Sequence, residues 1–131
     1  MRALALGLLL AGCATGQPDA PPGAPDRFED EADYRQRREA TAAALEAAIG
    51  EARASSVAAC RVVATSEQAC GGPASFAVYS AEAPGARETE RLAALLVALD
   101  TVANAQFGYV STCMAYEPPT PVLRGGRCVA E

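Results

Sequence analysis

Residues 86–107, ARETERLAALLVALDTVANAQF, decide the fold. Leu92, Leu95, Leu96, Leu99, Val102, Ala103 and Gln106 recur at i, i+3, i+4, i+7 spacing, the strongest periodic signal in the chain. Glu88 and Glu90 lie in the first turns, where a helix dipole favours acids. Gly108 stands where a residue in the left-handed region would end the helix. Such a stripe needs a second layer to bury it, so this helix is read as the cover of a sheet.

The flanking segments supply that sheet. Val57 to Ala64 is short, apolar and rich in β-branched residues, and Phe76 to Ser80 follows after the fixed turn Cys70-Gly71-Gly72-Pro73. After the helix, Val110, Thr112, Met114 and Tyr116 alternate with Ser111, Cys113 and Ala115. That alternation predicts a strand over Tyr109–Tyr116, ended by Pro118, Pro119 and Pro121. Gly125-Gly126, between Val122-Leu123 and Arg127-Cys128-Val129, signals a hairpin. The expected fold is α+β: a small disulfide-stapled antiparallel sheet of about four short strands, covered by one amphipathic helix, over residues 57–131. A module of about 75 residues has a small core and benefits from covalent staples.

A long charged helix is expected before this module, over residues 26–56, with Asp26 as a candidate N-cap. Glu31 with Arg35 and Asp33 with Arg37 are acid-before-base pairs at i,i+4. The apolar stripe is thin (Tyr34, Ala42, Leu45, Ile49, Ala52), and Gly50 inside such a helix costs about 1 kcal/mol. The run Arg35-Gln36-Arg37-Arg38 reads as a solvated face rather than a contact for anionic lipid.

The amino-terminal end carries an address. Arg2 precedes an unbroken apolar run from Ala3 to Leu10, and Ala11-Gly12 stand directly before Cys13. The run is too short to span about 30 Å of hydrocarbon but has the build of a secretory signal. Leu10-Ala11-Gly12-Cys13 resembles a bacterial lipobox, which implies cleavage after residue 12, lipid on the Cys13 thiol and acylation of the new amino group. Two or three chains anchor stably where one binds marginally. Residues 13–25, rich in Pro, Gly and Ala, are expected to form a disordered tether. Ala14, not Asp, follows the cysteine, and resemblance to sorted lipoproteins then implies, in a Gram-negative host, the outer membrane facing the periplasm. A plain secretory signal with a coincidental cysteine, or a buried N-terminal helix, is the competing reading.

Composition narrows the chemistry. Removing residues 1–12 takes one arginine and no acid from the whole-chain charge of −5, leaving 16 acids against 10 arginines, formally −6. That opposes a nucleic-acid footprint, which needs a basic face. Histidine is absent, so there is no imidazole for a Ser-His or Cys-His nucleophile or for a metal. No cofactor is expected. Besides Cys13, Cys60, Cys70, Cys113 and Cys128 form an even set that reads as two disulfides in an exported chain, with a zinc site as the rival. Three pairings are open; Cys60–Cys70 with Cys113–Cys128 is favoured because each closes a local loop.

Other readings compete for particular residues. Gly71 and Gly72 could offer N–H groups to an anion, against the simpler reading of a locked turn. Glu67, Glu82, Asp100 and Glu117 are the module's candidates for paired acid–base catalysis, and Cys70 lacks the nearby partner of a C-x-x-C redox site. Pro118 to Arg124 is a stiff candidate loop for entering a hydrolase cleft.

Cys60, Cys70-Gly71-Gly72-Pro73, Phe76, Tyr79-Ser80, the Leu-rich helix, Cys113 and Gly126-Arg127-Cys128 together resemble a family of small exported bacterial proteins, many of them lipoproteins. The likeness covers about Ala59 to Ala130 and implies an exported α+β module without lending a catalytic residue. The expectation is therefore a lipid-anchored envelope protein, not an enzyme, with a binding or structural role. Its partners would be the membrane, through the lipid, and an envelope protein. A proteinaceous inhibitor of an exported protease or lysozyme is the alternative.

Overall fold

The structure, a computed structural model, describes residues 21–131. The signal stretch, Cys13 and the first part of the expected tether lie outside the described residues. Two helices and two small antiparallel ladders follow one another as α1 (Glu31–Ile49), β1 (Cys60–Ala64), β2 (Phe76–Ser80), α2 (Ala86–Phe107), β3 (Pro121–Arg124) and β4 (Arg127–Ala130). The chain is thus α+β and disulfide-bonded. Among the described residues no helix is long and apolar enough to cross a membrane.

Helix α2 matches its sequence pattern from end to end. Leu92, Leu95, Leu96, Leu99 and Ala103 are buried, and Gly108 caps the helix in the left-handed region at φ 64°. Helix α1 is shorter than the charged pattern. Asp30, not Asp26, caps it, accepting from the amides of Ala32 and Asp33, and Gly50 ends it rather than lying inside it. At φ 56° Gly50 occupies backbone space that costs a side chain energy, while its N–H donates to Glu46. Both expected ion pairs, Glu31–Arg35 and Asp33–Arg37, form on the exposed face.

The two helices pack on each other through two clusters. Leu45 of α1 meets Leu92, Ala93 and Leu96, with Ala42, Ala48, Ile49 and Val63 around them. Phe28 meets Leu95, Leu99 and Ala103, flanked by Tyr34, Phe107 and Tyr109. The Gln106 amide clamps Phe28 from both sides, accepting from its N–H at 2.8 Å and donating to its carbonyl at 2.9 Å. Of the residues just before, Ala24 packs on this cluster and Arg91 reaches the Pro22 carbonyl. Close approach at the other end depends on Gly85, where a Cβ would lie 2.1 Å from the Ala48 carbonyl oxygen.

The strands differ from expectation in three ways. Val57–Ala59 is a single 3₁₀ turn, so β1 starts at Cys60. The ladders β1–β2 and β3–β4 are separate two-stranded sheets, not one, and Arg53, outside both, forms an isolated antiparallel bridge with Arg127 on β4. Tyr109–Tyr116 forms no strand. It has the alternation of one but pairs with neither ladder, and Cys113 breaks the extended path at φ 54°. The Gly125-Gly126 turn does close its hairpin, with both glycines at positive φ, as a two-residue turn of the primed type requires.

The favoured disulfide pairing is corrected: Cys60 bonds Cys128 and Cys70 bonds Cys113. Cys60 opens β1 opposite Ser80, whereas Cys70 sits in the connection at the far end of that hairpin, so a local bridge is out of reach. Cys60 and Cys128 meet instead where the two ladders abut, amid Ala52, Ile49, Val78 and Leu123. The long loops so closed also constrain the unfolded chain more than local ones, at about 4 kcal/mol each.

Candidate functional site

Most polar groups in this protein are occupied in building a frame. Asp100, buried on α2, accepts from the Tyr34 hydroxyl at 2.8 Å, from Arg38 Nε at 2.8 Å and from the Glu67 N–H at 3.1 Å. Three segments (α1, α2 and the β1–β2 connection) therefore meet at one carboxylate. Burial, and then the hydrogen bond to Asp100, push the Tyr34 hydroxyl up to about 12. Its own hydrogen bond to Asp100 holds the Arg38 guanidinium above its usual value.

The β1–β2 connection, residues 65–75, is folded on itself. Ser66 Oγ accepts from the amides of Ala74 and Ser75, and Glu67 Oε1 accepts from the Gly72 N–H. The Gly71 N–H goes to the Gln68 carbonyl. Both glycine donors that could have cradled an anion are thus satisfied internally. Asn104 on α2 holds the Glu67 carbonyl at 2.9 Å. The ledge so formed carries Cys70 outward.

Across from it lies the segment from Tyr109 to Thr120. Tyr109 anchors its start against Phe107 and Tyr34, with ring centroids 5.6 and 6.3 Å away. Beyond that residue the segment leaves the body. Val110 is 93 % exposed, Met114 56 % and Tyr116 43 %, three of the four large exposed apolar residues among those described. No backbone N–H of residues 109–119 donates to another group among the described residues. The segment is held by the Cys70–Cys113 bridge, by Gln68 Nε2 on the Met114 carbonyl at 2.8 Å, and by a Ser111–Cys70 contact. An open recess of about 270 Å³ runs between Gln68, the bridge, Pro73 and Tyr116.

The residues singled out in the sequence are dispersed. Asp100 and Glu67 come together, but as acceptor and backbone donor within the frame. Glu82 caps Ser55 through both its N–H and its hydroxyl, which holds the Glu82 carboxyl below its usual value. Glu117 is exposed. Pro118 to Arg124 is a free loop only in its first half: Pro121–Arg124 is β3, and Arg124 pairs with Glu131. Sequence reasoning passed over Gln68 and Ser111, which hold the exposed segment. Their only signal was polarity near a cysteine. Compared with known protein families, curated proteins and solved structures, the chain matches none of them.

Proposed function

We propose that this is a lipid-anchored bacterial envelope protein whose folded body has a non-enzymatic binding or structural role. The observation that carries the reading is Leu10-Ala11-Gly12-Cys13 after a short apolar run, a lipobox-like address with Cys13 as the acceptor of lipid. Two disulfides support it, since such bonds persist in oxidising compartments. In a Gram-negative host the address places the protein on the outer membrane, facing the periplasm. Membership in the family of small exported proteins with the Cys-Gly-Gly-Pro pattern belongs to the same proposal.

The surface assigned to contact is the segment with Val110, Met114 and Tyr116. A rigid body that leaves three large apolar side chains in water on one bridged segment has a use for them outside itself. Inhibition of an exported hydrolase is the second reading. It is favoured by the same segment, which is tied by a bridge and stiffened by Pro118 and Pro119, so that binding would cost little ordering entropy.

Growth of cells with an alkyne-bearing fatty acid tests the anchor. Label is expected on the chain and lost in Cys13→Ser; an unlabelled chain with its first twelve residues intact contradicts it. Titration of exported proteases and lysozyme tests the second reading, which fails if rates are unchanged at saturating protein.

A further inference from the structure

The two bridges stand in opposite surroundings. Cys60 and Cys128 are each 5 % exposed within a cluster of apolar side chains, whereas Cys70 and Cys113 are both exposed and line the open recess. A reductant can reach the first pair only through an opening of the core, and the second without any opening.

The exposed bridge is also asymmetric. A disulfide sulfur carries no hydrogen, so in the 2.8 Å contact between Ser111 Oγ and Cys70 Sγ the hydroxyl is the donor. That donor would stabilise negative charge on Cys70 and make it the better leaving group. Cys113 Sγ faces the Ser111 carbonyl oxygen at 3.6 Å, an acceptor that would repel a thiolate there. Cys113 moreover holds a left-handed backbone at φ 54°, which costs a non-glycine residue energy that the covalent link sustains.

We propose that Cys70–Cys113 is a thiol–disulfide exchange site, opened by a dithiol protein of the same compartment through attack on Cys113 Sγ. The reductant's thiolate forms a bond to Cys113 Sγ while the Cys70–Cys113 bond breaks, and its electron pair leaves on Cys70 Sγ beside the Ser111 hydroxyl. Water then protonates Cys70. The reductant's second thiol attacks its own sulfur in the mixed disulfide and releases Cys113, which is protonated in turn. Two electrons and two protons pass to the pair, and the reductant departs as its disulfide. With the bridge open, Gln68 still holds the Met114 carbonyl and Tyr109 still anchors the start of the exposed segment. The inference rests on the two bridges and not on the lipid anchor.

The test uses the full chain carrying Cys13→Ala, exposed to limiting dithiothreitol, quenched by alkylation and mapped by peptide mass spectrometry. Cys70 and Cys113 should be alkylated at least about tenfold faster than Cys60 and Cys128, with the helical circular dichroism retained. With glutathione, a monothiol, the adduct should sit on Cys113. Ser111→Ala should slow opening several-fold and even out the adduct between the two sulfurs, and Ser111→Thr should restore the bias. Parallel opening of both bridges, opening only with loss of the helical signal, free thiols at 70 and 113 in native protein, or adduct chiefly on Cys70 would each overturn the proposal.

Discussion

The paired helices and the segment after them use the same kinds of residue to opposite effect. Between α1 and α2, large apolar side chains are buried, and Asp100 ties Tyr34 and Arg38 of α1 to α2. Over residues 109–119, Val110, Met114 and Tyr116 stand in water and the backbone donors are left to solvent. One region holds itself together through packing; the other is held from outside by a bridge and a few polar contacts beside it. The difference separates what keeps this protein folded from the surface we propose for contact.

The sharpest way to break that contrast is to remove each bridge in turn. Cys60→Ala with Cys128→Ala should cost about 4 kcal/mol in urea unfolding. Cys70→Ala with Cys113→Ala should cost less than about 2 kcal/mol, because the freed segment regains entropy in the native state as well as the unfolded one. Equal losses would show that the exposed segment is part of the frame. Next in size, Asp100→Ala should cost about 3 kcal/mol, since it leaves the Arg38 guanidinium and the Tyr34 hydroxyl without their shared partner. Gly85→Ala forces backbone apart at the helix contact and should cost about 1–3 kcal/mol by calorimetry or denaturant.

Alkaline pH probes the frame alone. Burial and an acceptor, Asp100 for Tyr34 and Glu90 for Tyr79, push both hydroxyls from 10.0 up to about 12. The sign follows from linkage: the folded state keeps these protons longer than the unfolded one. The stability they contribute is therefore complete below about pH 10 and lost as pH rises toward 12. Unfolding midpoints should fall over that window, and Tyr34→Phe with Tyr79→Phe should flatten the fall. The smallest effect is expected at Val110→Ser and Met114→Ser, within about 0.5 kcal/mol of the parent protein.

How much was legible in the sequence follows the same division. Helix α2 and the Gly125-Gly126 hairpin could be read because their signals are local: a buried stripe with a stop, and two residues free to take positive φ. The Cys60–Cys128 bridge could not be read, because what brings the two sulfurs together is the abutment of two ladders far apart in the chain. The boundary of α1 was blurred by charged residues that suit a helix and a capped loop equally well. Residues 109–116 were misread as a strand because alternation records which side chains suit a strand, not whether a partner edge exists. Of the candidate surface, Cys113 and its apolar neighbours were visible, but their exposure was not.

Hydrogen exchange of the full chain, before and after selective opening of Cys70–Cys113, tests the division most directly. Fast exchange is expected over residues 109–119 in both forms, against slow exchange through the centre of α2 that opening the bridge leaves unchanged. Protection of 109–119 equal to that of α2, or loss of protection in α2 when this bridge opens, would contradict it.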